Sequence, residues 1–330
     1  MSAAAGSGRH DLRVLAPGRV AEVRPGDDLA ALLLAVVELR DGDVVVVTSK
    51  VVSKAEGRVR RGTREEALPG ETARVLARRG PTSIVRTHHG LTLAAAGIDA
   101  SNVESGSVVL LPVDPDASAR ALRATLHQRT GRTVGVVITD TAGRAWREGQ
   151  TDLAVGAAGL LVVEAFEGRV DAHGNTLAVT APAVADEIAG AAELAQGKLG
   201  ARPFAVLRGR ADLVLPAGQD GPGARALVRG DGADMFGHGA REAVVRALRG
   251  DHRDRAPFGA PAPAPDLAAA LDDVLGSRAA VRQDADGLLV DAGDAAADAV
   301  AALAFAHGWA PPEPVAGDSS GRLRLRPALP

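Results

Sequence analysis

The pattern of apolar and polar positions divides the chain into alternating predicted strands and helices. Val44–Val47 is an uninterrupted run of β-branched residues, typical of a strand that is buried on both faces of a sheet. Shorter or mixed apolar runs predict four further strands, at Ile84–Leu93, Val108–Val113, Val134–Thr139 and Phe204–Leu207. Segments rich in Ala, Leu and Val predict helices at Leu29–Leu39, Ala119–Arg129, Pro182–Gln196 and Ala240–Leu248.

Capping residues support these helices. Asp27 and Asp28 precede the first helix, and Ser118 is placed to cap the helix that follows it. Gly131 and Gly197 stand where the second and third helices are expected to end. The charged segment Arg58–Arg79 predicts a loop followed by a short helix.

Proline marks a change of organisation towards the C-terminus. Asp251–Asp266 contains four prolines among Ala and Gly, which is typical of a linker. The residues after it predict a small strand–helix–strand unit, at Gly287–Val290, Ala295–His307 and Leu323–Leu325. We therefore expect a main domain at 12–250, a linker at 251–266, a small α/β extension at 267–330, and disorder in residues 1–11.

Composition excludes several classes of protein. The 330 residues carry a formal net charge of −3, which disfavours a nucleic-acid-binding protein. No apolar run is long enough to cross a bilayer, and the N-terminus lacks a secretory signal, so we expect a cytoplasmic protein without membrane contacts. The absence of Cys excludes disulfides, thiolate zinc sites and a Cys nucleophile.

Lysine and asparagine are unusually rare. Only three of the 38 basic residues are Lys (Lys50, Lys54 and Lys198), and the chain has two Asn (Asn102 and Asn175). Both residues use AT-rich codons, so a GC-rich genome accounts for their scarcity. Lys and Arg are interchangeable on a solvated surface but not where a compact ammonium is needed. The retained Lys and Asn are therefore candidate functional residues.

Common nucleotide and hydrolase motifs are missing. The sequence lacks the P-loop pattern, the G-x-G-x-x-G fingerprint, the G-x-S-x-G elbow and H-E-x-x-H. The most frequent kinase, dehydrogenase and hydrolase architectures are therefore disfavoured.

Two segments nevertheless suggest nucleotide chemistry. Ser49, Lys50 and Lys54 follow the all-Val strand, where hydroxyls and ammoniums suit a phosphate site. The alternative is a solvated strand end with extended lysines. Asp99 and Asn102 lie three residues apart after a Gly turn, so both could face one ligand. The alternative there is an Asx turn.

Two more segments carry hard oxygen ligands and cationic groups. Asp140 and Thr141 follow the Val134–Thr139 strand, and carboxylate and hydroxyl oxygens are ligands of Mg²⁺ and Mn²⁺. Arg144 and Arg147 are spaced to hold an anion, although the segment is also consistent with a capped turn. Lys198 follows a predicted helix, where it could simply complement the helix dipole.

In this order the four segments resemble the coenzyme F420-0:L-glutamate ligases, including the N-terminal half of the fused bacterial form. The resemblance covers about residues 12–250. The matching stretches are 24–29, 41–58, 96–103, 111–118, 138–141 and 184–188.

The resemblance implies an α+β, mixed-sheet γ-glutamyl ligase fold that forms an intertwined homodimer, here with a small C-terminal extension. It implies a GTP-dependent ligase that phosphorylates the terminal carboxylate of F420-0. The α-amine of L-glutamate then attacks the acyl phosphate, and further γ-linked glutamates can follow. Transfer of a phosphoryl group between two anions needs charge neutralisation and alignment, which carboxylate-bound cations, Lys and Arg supply.

The resemblance also implies roles for individual residues. Asp99 and Asp140 hold the first divalent cation, Mg²⁺ or Mn²⁺, and Thr141 helps to hold a second, with K⁺ as a further aid. The expected catalytic set is Asp99, Asp140 and Arg147. The expected nucleotide-binding set is Val20, Ala21, Ser49, Lys50, Lys54, Asn102 and Lys198.

The sequence departs from the family pattern in three places. The early Gly-Leu-Pro of the family is replaced by Arg19-Val20-Ala21, so we expect contacts to GTP there to come from the backbone. Arg58–Glu71 is shorter than in some members. Residues 251–330 do not continue into the nitroreductase-like half of the fused enzymes, so we expect no FMN. Two rival functions stay open: a ligase of the same mechanism acting on another carboxylate, and a non-catalytic GTP- and metal-binding module.

Overall fold

The computed structural model describes residues 11–18, 20–230, 232–316 and 321–328. These residues form two compact units. The first takes its described residues from Met1–Val75 and Gly80–Val228, and the second from Leu76–Arg79 and Arg229–Pro330. Apart from Asp11, the segment predicted to be disordered lies outside the described residues. Helices and mixed sheets are both present, which confirms the α+β class.

The first unit carries most of the helices and strands. In chain order they are β1 (Arg13–Leu15), α1 (Leu29–Leu34), β2 (Val44–Thr48), α2 (Ser49–Ala55), β3 (Val59–Arg61), α3 (Arg64–Glu71), β4 (Thr72–Arg79, whose last four residues are grouped with the second unit), β5 (Thr82–Thr87), β6 (Thr92–Ala94), β7 (Ser107–Val109), α4 (Pro115–Thr130), β8 (Gly135–Arg144), β9 (Arg147–Ala158), α5 (Val184–Gln196) and β10 (Phe204–Arg208).

A five-stranded sheet with the order β1-β10-β2-β8-β9 organises this unit. The β2–β8 pair is parallel, and the other pairs are antiparallel. Val45 and Val47 pack with residues of α1 and α4 on one face, and Val44 and Val46 pack with α5 on the other. All four valines are fully buried, which confirms the prediction of a strand covered on both faces.

Two smaller sheets accompany the large one. β3 pairs with β7, and β4, β5 and β6 form a three-stranded sheet. A single bridge joins Asp99 to Val109, the last residue of β7, with backbone hydrogen bonds of 3.0 and 2.8 Å. This bridge fixes the position of the segment that carries Asp99.

Several predicted boundaries of helices and strands are wrong. The first helix ends at Leu34 rather than Leu39. The cap of α4 is Asp114, whose carboxylate accepts the amide of Ala117 at 2.9 Å, so the helix begins before Ser118. The single strand predicted at Ile84–Leu93 is a hairpin of β5 and β6, because the chain turns at Gly90, which has a φ of +89°. The segment Ser49–Ala55 after β2 is a short helix.

The second unit is a small α/β module. It contains α6 (Ala240–Arg249), α7 (Ala264–Leu275), β11 (Ala279–Asp284), β12 (Gly287–Ala292), α8 (Ala297–Ala306), β13 (Glu313–Pro314) and β14 (Arg322–Leu325). The strands form an antiparallel sheet with the order β11-β12-β14-β13. Leu267, Leu271 and Leu275 on one face of α7 pack into its core together with Trp309.

The predicted strand–helix–strand pattern is present in this module, although α7 and β11 were not predicted. α7 begins inside the segment predicted as a linker, and α6 is grouped with the second unit. The functional domain boundaries at 250 and 266 stay a prediction. In the described part of the chain, no helix is both long and apolar enough to span a membrane.

Candidate active site

The site begins where β2 ends beside the middle of the longer parallel strand β8. The register pairs Thr48 of β2 with Thr139 of β8, so the next residues, Ser49 and Asp140, emerge side by side. The Ser49 hydroxyl donates to Oδ1 of Asp140 at 3.1 Å. Because β2 and β8 are neighbouring parallel strands, two residues 91 positions apart in sequence meet there.

Asp99 reaches this region from the loop held by the bridge to β7. Its Oδ1 accepts the amide of Ser101 at 2.8 Å, and its Oδ2 accepts the Ser101 hydroxyl at 2.8 Å. The Lys50 ammonium lies 2.6 Å from Oδ2 of Asp99 and also donates to the Ser101 hydroxyl. The Asx turn that the sequence left as an alternative is therefore present, and it presents the carboxylate to Lys50.

Gly97 allows the Asp99 loop to approach Asp140 closely. Its φ is +73°, a left-handed value that favours glycine. A Cβ at this position would lie 3.2 Å from Oδ2 of Asp140 and 3.0 Å from the side chain of Leu111. The absence of a side chain at Gly97 thus leaves space beside the Asp140 carboxylate.

Thr141 follows Asp140 on β8, so its side chain lies on the opposite face of the strand, where it contacts a buried acid. Its hydroxyl donates to Oδ1 of Asp152 on β9 at 2.7 Å, and Thr139 donates to Oδ2 at 3.2 Å. Asp152 is only 3% exposed. The Lys198 ammonium is 2.6 Å from the Thr141 hydroxyl oxygen and 3.0 Å from a carboxylate oxygen of Glu193.

Lys54 is the most buried of the three lysines. Its ammonium donates to the backbone carbonyl of Asn102 at 2.6 Å and forms an ion pair with Glu22. The sequence analysis expected the Asn102 side chain to contact a ligand. In the structure, the contact between Asn102 and Lys54 is made by the backbone carbonyl of Asn102. Asn102 has a φ of +56°, a conformation that Asn tolerates better than most residues, which is a structural reason for its retention.

The two central carboxylates have pKa values shifted in opposite directions. Burial is the main cause that raises the pKa of Asp140 to about 7; hydrogen bonds from Ser49 and the Thr141 backbone oppose it, and the charges of Asp152 and Asp99 add to it. Burial also acts to raise the pKa of Asp99, but hydrogen bonds from Lys50 and Ser101 outweigh it, so that pKa lies below its usual value. Asp140 is therefore the acid whose negative charge is least compensated.

Other predicted residues lie further from this cluster. Val20 is half-buried, and its amide donates to the carbonyl of Ala201 at 3.2 Å, whereas Ala21 is exposed. Arg147 is exposed at the start of β9, paired with Arg144. Arg144 lies four positions after Asp140 along extended β8, or about 13 Å away. Within one chain, Arg147 is not brought to the carboxylates. Arg19 lies outside the described residues.

Three acidic residues of the cluster were missed by the sequence analysis. They are Glu22, Asp152 and Glu193, which contact Lys54, Thr141 and Lys198. Asp152 carries a recognisable signal, since it is a lone acid just before the apolar run 153–158. The other two are ordinary charged residues in sequence, and only the fold shows their partners.

The residues fit one expected divalent cation better than the second. Asp140 and Asp99 offer carboxylate oxygens with unused lone pairs, and a cation there would relieve the uncompensated charge of Asp140. Among the described residues no preassembled group of three or more His, Cys, Asp or Glu is present. The remaining ligands of such a cation would have to come from water or phosphate oxygens.

Sequence comparison bears directly on this cluster. A model of the F420-0:gamma-glutamyl ligase family matches residues 18–83 and 70–209, more than half of the chain. The chain belongs to the F420-0:gamma-glutamyl ligase family. Every residue of the cluster lies within the matched segments, which end at residue 209, before the Arg229–Pro330 part of the second unit.

Several relatives share the name coenzyme F420:L-glutamate ligase. The protein of Archaeoglobus fulgidus is 43% identical over 209 residues, which is 57% of this chain and 83% of that protein. The protein of Methanopyrus kandleri is 39% identical over 241 residues, or 65% of this chain and 93% of that protein. The protein of Methanothermobacter thermautotrophicus is 38% identical over 213 residues, or 57% and 84% of the two chains. The predicted family resemblance is thus confirmed.

Proposed function

We propose that this member of the F420-0:gamma-glutamyl ligase family joins L-glutamate to coenzyme F420-0 at the expense of GTP, through an acyl phosphate. One observation carries the proposal. All three lysines of an arginine-rich chain contact residues of the candidate site: Lys50 contacts Asp99, Lys54 contacts Asn102, and Lys198 contacts Thr141. Compact ammoniums at these positions suit the phosphates of a nucleotide.

The reaction proceeds in two balanced steps. A carboxylate oxygen of F420-0 forms a bond to the γ-phosphorus of GTP while the bond to the bridging oxygen breaks, which gives the acyl phosphate and GDP. The α-amine of glutamate then attacks the acyl carbon, the bond from that carbon to the phosphate oxygen breaks, inorganic phosphate leaves, and the nitrogen releases one proton to solvent. No side chain has to act as a nucleophile.

The chain's own groups align and neutralise the reactants. Lys50 and Lys54 are placed to bind phosphate oxygens, which requires Lys54 to exchange Glu22 for phosphate. Asp99 and Asp140 would hold Mg²⁺ or Mn²⁺, which when bound would draw charge from the transferring phosphoryl group. The hydroxyl of Ser49 orients the Asp140 carboxylate. The left-handed turn at Gly97 keeps the two acids close.

The remaining features of the proposal rest on the family resemblance. They are a cytoplasmic homodimer, K⁺ as an aid, no FMN, and addition of more than one glutamate. Arg147 is exposed on the β8–β9 hairpin, so a catalytic role would require Arg147 of one subunit to reach the site of the other subunit in the proposed homodimer.

The proposal is tested by incubating the full chain with GTP, Mn²⁺, L-glutamate and F420-0. We expect mass increases that correspond to one or more glutamyl residues, with GDP and phosphate released in proportion. GTP binding without any product would instead support a non-catalytic module. Turnover with a different carboxylate but not with F420-0 would show that the acceptor is misassigned.

A further inference from the structure

The hydroxyl of Thr141 already has two strong partners. It donates its proton to the buried Asp152 at 2.7 Å, and the Lys198 ammonium lies 2.6 Å from its oxygen. A hydroxyl has one proton and two lone pairs. Thr141 therefore keeps a single lone pair for the second divalent cation that the family resemblance places there.

Lys198 is held at this point by acidic groups from two directions. Its ammonium is 3.0 Å from Oε1 of Glu193 on α5 and 3.7 Å from Oδ1 of Asp152 on β9. Glu193 is partly buried and Asp152 is almost fully buried, so neither carboxylate is well compensated by water. The protein places a positively charged side chain between these two acids.

A metal ion bound to Thr141 would have to share this space. At a ligand distance of about 2.1 Å from the hydroxyl oxygen, the metal would lie within about 4.7 Å of the ammonium. Two cations so close would repel each other, and the two carboxylates already have a cationic partner. The first cation position differs in one respect. Lys50 lies 2.6 Å from Oδ2 of Asp99, but among the described residues Asp140 is contacted by no ammonium or guanidinium, so one of the two acids there lacks a cationic partner.

We propose that the Lys198 ammonium takes the place of the second divalent cation, so that each chain binds a single metal ion together with the nucleotide. Lys198 then contributes a fixed positive charge beside Thr141, and the divalent cation is confined to Asp99 and Asp140. This inference rests on the proposed function, since it concerns the cations of that site.

The count of bound metal ions tests the inference directly. Mn²⁺ is titrated into the full chain with saturating GDP, and free Mn²⁺ is followed by electron paramagnetic resonance. We expect one tightly bound Mn²⁺ per chain. Lys198→Gln, which removes the charge and leaves a shorter, neutral amide, should bind two. Lys198→Arg, which keeps the charge, is the matched control and should bind one.

Two results would overturn the inference: two Mn²⁺ ions per wild-type chain, or an unchanged count of one in Lys198→Gln. Lys198 is 60% exposed, so its replacement should leave the fold intact, and circular dichroism confirms this. Lys198→Met serves as a second neutral variant, in which an unchanged count would also overturn the inference.

Glutamyl transfer measured on the same samples separates the two proposals. An active wild-type enzyme that binds two ions contradicts only the Lys198 inference, whereas an inactive wild type contradicts the proposed function.

Discussion

Gly97 connects the local backbone of the chain to its chemistry, and its substitution by alanine makes a quantitative test. The left-handed φ of +73° costs a non-glycine residue about 1–2 kcal/mol. The added Cβ would also meet Oδ2 of Asp140 at 3.2 Å and Leu111 at 3.0 Å. Crowding of this kind costs about 1–3 kcal/mol in a packed region. We therefore expect Gly97→Ala to lower the free energy of unfolding by about 2–5 kcal/mol.

A second glycine near this loop supplies the matched control. Gly106 has a φ of +78°, but a Cβ there would meet no atom within 4 Å. Gly106→Ala should therefore lose only the backbone component, about 1–2 kcal/mol. Urea unfolding of both variants, monitored by circular dichroism, isolates the crowding component as the difference between them.

The same pair of variants separates stability from function. Displacement of the Asp99 loop from Asp140 should weaken the cation site, so Gly97→Ala should need at least about 10-fold more Mn²⁺ for half-maximal glutamyl transfer, equivalent to about 1.4 kcal/mol. Gly106→Ala should retain the wild-type Mn²⁺ requirement. Equal stability losses and equal Mn²⁺ requirements in the two variants would refute the view that Gly97 provides space for Asp140.

Three further predictions address charge. Burial, assisted by the charges of Asp152 and Asp99, raises the pKa of Asp140 from 3.8 to about 7, so between these pH values the folded state keeps a proton that the unfolded state has lost. The free energy of unfolding without metal should therefore fall by up to about 4 kcal/mol as the pH rises through this range. Urea titrations with a chelator should show this fall in the wild type and not in Asp140→Asn. Arg123→Met should lower the free energy of unfolding by about 3–5 kcal/mol in the same assay, because the buried guanidinium donates to four backbone carbonyls. Arg120→Met removes an exposed ion pair and should lower it by less than about 1 kcal/mol. Similar losses in the two variants would show that Arg123 does not anchor the structure. Lys54→Met should raise the KM for GTP at least about 10-fold, through loss of a charge-assisted hydrogen bond of about 1.5–3 kcal/mol, with the KM for L-glutamate unchanged as the control.

The central strands were predictable because their signal is local. Four consecutive valines can be buried only if both faces of the strand are covered, and the flanking segments supply the helices that cover them. The long strand β9 was not predictable in the same way, since its first half is polar and glycines at 149 and 156 interrupt its pattern. β9 is held in place by its pairing with β8. The hydrophobic pattern of a single segment does not predict which strand that segment pairs with.

The candidate site shows the same division. From the residues alone, the rarity of Lys and a position after predicted buried strands made Lys50, Lys54 and Asp140 candidates. Rarity alone added Lys198, with the helix dipole as the alternative explanation. The partners of these groups depend on the fold. Glu22 meets Lys54 and Glu193 meets Lys198 only after the chain has folded, and no motif records either pair.

Asn175 shows the limit of reasoning from rarity. It is the second of the two asparagines, but its side chain donates to Asp171 at 3.0 Å within a tight turn, as a purely structural contact. Retention of a rare residue therefore indicates a specific requirement, and the structure decides whether that requirement is chemical or conformational.

Glutamyl transfer to F420-0 by Asp140→Asn, measured by mass spectrometry with GTP, Mn²⁺ and L-glutamate, tests the central role of this carboxylate most directly. Asp171→Asn, the same substitution in an exposed turn, is the control for the loss of one acid. We predict that Asp171→Asn retains wild-type turnover and that Asp140→Asn loses at least about 100-fold, the range in which removal of one electrostatic group from a catalytic site falls. Wild-type turnover by Asp140→Asn would contradict the account.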